Sequence, residues 1–403
     1  MTASSVTLEY SNQATETNAI RPFHVNFSEA ELTDLRVRIN ATRWPEREPV
    51  HDNEQGVQLA TVQKLAHHWA TDYDWRKVEA RLNALPNFIT EIDGLDIHFI
   101  HVRSQHEHAL PLIVTHGWPG SVIQQLKIVD PLINPTAHGG KASDAFHVVM
   151  PSMPGYGFSG KPTTTGWGPA RIARAWAVLM KRLGYTRYVA QGGDWGAIIT
   201  DVMATQDHPE LMGIHSNMPA TVPPEIGQAL WSGSPLPSGL SADETLACEM
   251  LASTYKKSVQ YAFYMASRPQ TLYGIADSPL GLAAWVLDPP LISHGFAGRL
   301  GGLPPDDVLD NITLFWLTNT AVSAARLYRE NTFNYFTPKN VTIPAAVSVF
   351  PDELYQAPRS WAERAYPKLI HYNKIDKGGH FPAWEQPQLF VEELPAGFKS
   401  LRH

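Results

Sequence analysis

Apolar residues first recur at helical spacing at Leu32, Leu35 and Ile39, just behind Ser28 and Glu31. A serine three residues ahead of a glutamate forms a capping box, so the run starts as a helix, and Trp44-Pro45 stops it. A second helical stretch over residues 59–69 leads through Asp74, Trp75, Arg76 and Lys77 into another apolar-periodic segment ending near Leu85-Pro86. These stretches predict a helical arm, residues 22–90, packed on the main domain. The preceding residues, 1–21, are rich in Thr, Ser, Asn and Glu and predict a frayed tail.

From Phe88 the period falls to two. Alternating apolar residues over 88–102 flank the turn Asp93-Gly94, the pattern of a β-hairpin. Residues 110–115 and 146–150 are largely apolar runs followed by Gly and Pro, which predicts parallel strands buried on both faces. Between them and the next strand, 188–191, a helix places Ile172, Trp176, Leu179, Met180 and Leu183 on one face and ends at Gly184. A further helix follows over 197–204. Strand, helix and strand in this order predict an α/β fold: a mostly parallel sheet flanked by helices.

The alternation stops over residues 218–338. Five prolines between Pro219 and Pro237 open a loop-rich passage, and helical stretches carrying Tyr255, Tyr261, Tyr264, Trp285, Trp316 and Tyr328 follow. This segment predicts an inserted helical lid. Strand signals return at 343–350 and 369–372, so the core is expected from residues 91–217 and 339–403.

Composition narrows the functional classes. A hydrophobic content of 43% and 12 Trp in 403 residues provide a sizeable core. The net charge of -7 offers no basic field to a polyanion, so no nucleic-acid partner is expected. The one cysteine, Cys248, excludes an internal disulfide and a cysteine zinc site, and reads as a buried, inert thiol. No run of 18 or more apolar residues occurs and the start lacks a signal peptide's basic and apolar regions. A soluble, cytoplasmic protein without membrane attachment is the expectation.

Gly192, Gly193, Asp194, Trp195 and Gly196 have the spacing of a nucleophile elbow, in which small flanking residues let strand and helix approach and leave the central side chain exposed. A carboxylate stands where an ordinary hydrolase has serine. With a reference pKa of about 3.9 it is charged at neutral pH without a base to activate it. It suits displacement at a saturated carbon, leaving an ester between substrate and protein.

His380, after Gly378 and Gly379 and beyond the last strand, stands where an α/β-hydrolase carries its base. Asp352 and Glu353 both follow the preceding strand, and chain order does not choose between them as the third member. His116, Gly117, Trp118, Pro119 and Gly120 follow another strand, and this loop supplies one oxyanion-binding amide in such folds. The donors would be the backbone N–H groups of Trp118 and Trp195. No metal motif appears: His67-His68 and His106-Glu107-His108 lack ligand spacing or acid partners and read as solvated. The full dinucleotide fingerprint is absent, so neither metal nor cofactor is expected.

Five segments carry a resemblance: residues 91–101, 116–121, 151–159, 192–196 and Gly378-Gly379-His380-Phe381. With them the chain resembles the microsomal-type epoxide hydrolases over nearly its whole length. The resemblance implies the α/β-hydrolase fold, with Asp194 as nucleophile and His380 as base. It puts the acid on Glu353, because the family's Phe-Pro-x-acid-Leu pattern is met by Phe350 to Leu354. It also puts two lid tyrosines on Tyr261 and Tyr328, which the residues alone do not distinguish among 14. Membrane-bound relatives carry an apolar N-terminal anchor where this chain has a polar tail, so attachment is not carried over.

The implied function is conversion of a small-molecule epoxide and water to a vicinal diol through an aspartyl ester. A haloalkane dehalogenase, also served by an aspartate elbow, is the rival reading, and a non-catalytic ligand-binding relative is another. Homodimerisation through the Pro-rich passage or the arm stays open.

Overall fold

The computed structural model describes residues 18–288 and 302–402. Among the described residues nine strands form one sheet: β1 (Arg21–Pro22), β2 (Asn87–Ile92), β3 (Leu95–Val102), β4 (Leu110–Thr115), β5 (Phe146–Pro151), β6 (Tyr188–Gly192), β7 (Leu211–Ser216), β8 (Ala345–Val349) and β9 (Leu369–Lys374). Their spatial order is β1-β2-β3-β5-β4-β6-β7-β8-β9. The pairs β1·β2, β2·β3 and β3·β5 are antiparallel and all others are parallel. The expected hairpin turns at Asp93-Gly94, both at positive φ. Strands β1 and β7 went unrecognised: β1 is two residues long, and Gly213 and His215 interrupt the apolar run of β7.

The central strands are buried on both faces, as their unbroken apolar runs require. Leu112, Ile113, Val114, Val148, Val149 and Val189 are all essentially inaccessible. Two layers of helix cover them. The helices are α1 (Glu29–Asn40), α2 (Leu59–Thr71), α3 (Trp75–Asn83), α4 (Leu126–Ile133), α5 (Pro169–Arg182) and α6 (Trp195–Thr205), followed after β8 by α14 (Arg359–Ala365), α15 (Pro382–Glu385) and α16 (Pro387–Gly397). Helix α5 packs on α6, and α4 on α16. Ile172, Trp176, Leu179 and Met180 form the buried face of α5, each side chain contributing about 2 kcal/mol of burial.

Between β7 and β8 the chain leaves the sheet for α7 (Pro224–Ser232), α8 (Ala242–Lys257), α9 (Gln260–Ser267), α10 (Tyr273–Asp277), α11 (Pro279–Leu287), α12 (Pro305–Thr318) and α13 (Ala321–Glu330). This is the helical insertion, and it stands over the C-terminal ends of the parallel strands.

The N-terminal arm packs on the insertion as well as on the main domain, where Phe23 and Phe27 lie against Phe158. Helices α1 and α2 lie against α11, and α3 lies against α12. Buried polar pairs fasten the contact: Trp69 Nε1 donates to Thr313 Oγ1 at 2.9 Å and Tyr73 Oη donates to Asp310 Oδ1 at 2.9 Å. Arg81 closes an ion pair on the other Asp310 oxygen. Burial pushes the Asp310 carboxyl up to about 6 against the pull of its tyrosine and arginine partners. The arm also joins the sheet edge through β1, so it straps the insertion to the core. Such pairs join residues more than 200 positions apart, which local periodicity does not report.

No described helix is long and apolar enough to cross a membrane. The expected tail over residues 1–21 falls mostly outside the described residues.

Candidate active site

At the end of β6 the chain turns sharply into α6, and Asp194 occupies the turn with φ 51° and ψ -124°. Such a conformation costs a non-glycine residue about 1–3 kcal/mol, so the surroundings must enforce it. The neighbours show how. A Cβ on Gly192 would stand 2.0 Å from the Gly196 carbonyl oxygen, and one on Gly196 2.0 Å from that of Thr115. Only glycine lets helix, turn and strand β4 approach so closely.

The Asp194 carboxylate is fixed by both oxygens. Oδ1 accepts the Trp118 amide at 2.6 Å, and Oδ2 lies 3.2 Å from His380 Nε2. Gly117 makes the first contact feasible, since a Cβ there would stand 2.2 Å from Oδ1. The Trp195 amide, expected as a second donor, makes no hydrogen bond to Asp194 among the described residues. It is the first amide of α6 and so has no partner within the helix.

His380 is held from its other side. Its Nδ1 lies 2.5 Å from Glu353 Oε1, and that oxygen also accepts the Leu354 amide at 2.7 Å. Of the two acids that follow β8, Glu353 is buried against the imidazole, whereas Asp352 is exposed and meets Gly379 through the backbone. Burial depresses the affinity of His380 for a proton, but the charges of Glu353 and Asp194 outweigh it and raise its pKa from the ordinary 6.5 to about 10. The imidazole is therefore charged in the resting site.

Opposite His380, the insertion closes over Asp194 and leaves a cavity of about 410 Å³. This is a size suited to a small or medium organic molecule. Ile198, Met218, Val222, Trp231, Phe333 and Phe336 make it apolar. Tyr261 of α9 and Tyr328 of α13 both line it, their rings 5.9 Å apart, and Tyr328 also packs edge-on to Trp195 at 4.7 Å. Burial first, and then nearby charge or phenols, raises both phenols well above the ordinary 10, so each stays protonated and able to donate. Tyr255 and Tyr335 are further phenols in the wall; Tyr335, 5.4 Å from Trp195, is one that the sequence did not single out.

The structure thus brings Asp194, His380, Glu353, Trp118, Trp195, Tyr261 and Tyr328 into one site. Elsewhere, His68 is not simply solvated: Asp306 Oδ1 accepts from its Nε2 at 2.6 Å and Asp72 lies 3.7 Å away, so it belongs to the arm contact. Cys248 is buried, as expected. Among the described residues no group of three or more His, Cys, Asp and Glu side chains is gathered to hold a metal ion.

The family model for the epoxide hydrolase N terminus matches residues 20–125, and that for the α/β hydrolase fold matches residues 111–230. A putative epoxide hydrolase of Stigmatella aurantiaca is 50% identical over 388 residues, 95% of this chain and 86% of that protein. The chain belongs to the epoxide hydrolase family. Epoxide hydrolase 1 of Oryctolagus cuniculus is 34% identical over 94% of this chain and 88% of its own length. Among solved structures, the juvenile hormone epoxide hydrolase of the silkworm Bombyx mori superposes with a TM-score of 0.84 at 29% identity, covering 98% of this chain and 97% of that one. The Aspergillus niger epoxide hydrolase gives 0.82 at 29% identity, covering 96% and 98%. Membership favours an epoxide-opening hydrolase over the dehalogenase and non-catalytic readings.

Proposed function

We propose that the protein converts a small-molecule epoxide to a vicinal diol in two steps, through an ester on Asp194. The observation that carries this is the position of the Asp194 carboxylate, between a charged His380–Glu353 pair on one side and two protonated phenols across an apolar cavity on the other. In the first step Asp194 Oδ2 forms a bond to a ring carbon while the ring C–O bond breaks. Tyr261 and Tyr328 hydrogen-bond the departing oxygen and one gives it a proton. The apolar walls favour a carbon-rich epoxide.

Forming the ester removes the charge of Asp194, and with it part of what held the proton on His380. Its proton passes through solvent to the phenolate left by the first step, and the neutral imidazole becomes a competent base. It takes a proton from water as the water oxygen attacks Asp194 Cγ, and the developing oxyanion is held by the Trp118 amide, joined by that of Trp195 as the carbon becomes tetrahedral. The ester C–O bond breaks, the diol alkoxide takes the proton from His380 and leaves as the diol, and the proton left on the Asp194 carboxyl passes to the imidazole, which restores the resting ion pair. Glu353 orients the imidazole and stabilises its positive form.

Single turnover in oxygen-18 water tests the scheme. The first diol should be mostly unlabelled, with label in Asp194 and release of label in later turnovers. Full labelling of the first diol, with no adduct on a His380→Gln variant by intact-protein mass spectrometry, would mean direct attack by water and defeat it.

A further inference from the structure

A second cavity lies behind the nucleophile. It is small, about 40 Å³, and its wall includes Asp194, His380, Gln124, Gln125, Gln191 and Asn217. Among the described residues Asp194 alone lines both this cavity and the large apolar one, whereas His380 lines the small one and Tyr261 and Tyr328 the large one. The two cavities therefore meet at the carboxylate from opposite sides.

Most polar groups around the small cavity are spoken for. His116 accepts the Met153 amide on Nε2 at 3.2 Å, which leaves Nδ1 to donate to the Gly117 carbonyl at 3.3 Å. Asn217 Oδ1 accepts from Gln191 Nε2 at 3.0 Å, and its Nδ2 donates to the His380 carbonyl at 3.5 Å. Two atoms remain: Gln124 Nε2 and Gln125 Oε1 are buried with no partner among the described residues, in side chains 4% exposed. Leaving a buried amide unpaired is costly, so a partner belongs there. One orphan is a donor and the other an acceptor. A ligand that meets both must donate and accept in the same small space, and at about 10–15 Å³ each, two or three water molecules fit.

The glutamines are also held in place. They end the short turn Val122–Gln125, whose entry Ser121 Oγ caps by accepting the Ile123 amide at 3.2 Å. The Gln124 amide lies directly over Gly120, where a Cβ would come within 1.9 Å of its Oε1.

We propose that this cavity is the binding site of the second substrate, water, and that Gln124 and Gln125 hold the molecule that hydrolyses the ester. The proposal rests on the two-step reading above. Once Asp194 carries the alkyl group, the large cavity is filled by it, and water arriving from that side is obstructed. The small cavity stays open to Asp194 Cγ and to His380 together. Gln124 Nε2 donates to the water oxygen, Gln125 Oε1 accepts one of its hydrogens, and His380 takes the other as the oxygen bonds to Cγ. The ester C–O bond breaks and the diol alkoxide takes its proton from His380. One water is consumed per turnover and a neighbour in the cavity replaces it.

The test uses Gln124→Leu and Gln125→Leu, which keep side-chain bulk and remove the polar atoms. Styrene oxide serves as the probe in rapid-mixing experiments that resolve ester formation from ester decay. Ester formation should stay within about threefold of the parent, while decay slows about tenfold, the worth of one lost hydrogen bond. The ester then accumulates and kcat and KM fall together. Normal decay in both variants, or formation and decay slowed alike, would overturn the site. A crystal structure of the parent gives an independent readout that needs no variant: an ordered water within hydrogen-bond distance of both Gln124 Nε2 and Gln125 Oε1 supports the site, and a dry cavity refutes it. Absence of any ester in His380→Gln would instead refute the two-step reading, so the two failures are distinguishable.

Discussion

Replacing Glu353 with Gln removes one negative charge beside His380 while keeping the side chain's length and an acceptor for Nδ1. The expected effect differs between the two steps. In the resting site His380 still faces Asp194, so the nucleophile keeps its contact and alkylation changes by no more than about threefold. In the ester, Asp194 is neutral and Glu353 is the remaining carboxylate 2.5 Å from the imidazole. Among the described residues no other carboxylate pairs with the imidazole directly, Glu385 acting on it from farther away while it accepts the Phe381 amide. Two charges about 4 Å apart at an effective dielectric near 20 interact by about 4 kcal/mol. With about half the charge developed in the transition state, the loss is about 2–3 kcal/mol, or about a hundredfold in ester hydrolysis. Stopped-flow fluorescence would separate the steps, since Trp195 adjoins the nucleophile, and mass spectrometry of the quenched protein would count the ester. Alkylation and hydrolysis falling by the same factor would refute the reasoning, as would a larger loss in a folded Asp352→Asn variant.

The His380 pKa of about 10 belongs to the free site, where two carboxylates face it. With Asp194 esterified that value should drop, so kcat under conditions where the ester accumulates should rise with pH to a plateau reached below 10. An acid limb centred at or above 10 would mean that Asp194 does not lose its charge. Tyr261→Phe and Tyr328→Phe should each slow alkylation about a hundredfold, in the range for a single donor to a developing oxyanion, and the double variant should nearly abolish it. Unchanged single-turnover alkylation in the double variant would rule out the phenols as donors.

Local patterns reported the frame of this molecule well. The parallel strands were legible because burial on both faces demands uninterrupted apolar residues, and the elbow because its glycines are steric necessities at fixed spacing. Strand β7 escaped because Gly213 and the buried His215 break its run, His215 pairing through Nε2 with Ser348 Oγ from a strand 133 residues on. The choice between Asp352 and Glu353 depended on which way adjacent loop side chains point, and a pattern of residue types carries no such direction. Tyr261 and Tyr328 came from resemblance alone, since a phenol in a helix looks the same whether it packs or donates. Gln124 and Gln125 had no signal: an amide in a short turn is ordinary until its surroundings are known to be buried. The arm's attachment to the insertion was hidden for a related reason, being made of pairs such as Trp69 with Thr313 that meet only in three dimensions.

The bare Cα atoms around Asp194 have a bearing on how this catalyst could be reshaped. At Gly117, Gly192 and Gly196 even a methyl group would collide with the nucleophile or with backbone that has nowhere to retreat. The floor of the site is therefore closed to variation, for evolution and for a protein engineer alike. The opposite wall is of another kind. Trp231 is 69% exposed and Phe263 43%, both border the large cavity, and their rings touch each other at 5.7 Å without supporting the sheet. Changes there can widen or narrow the entrance while the reacting groups stay where they are. Libraries aimed at handedness or substrate bulk should sample α7, α9 and residues 333–337 and leave the glycines alone.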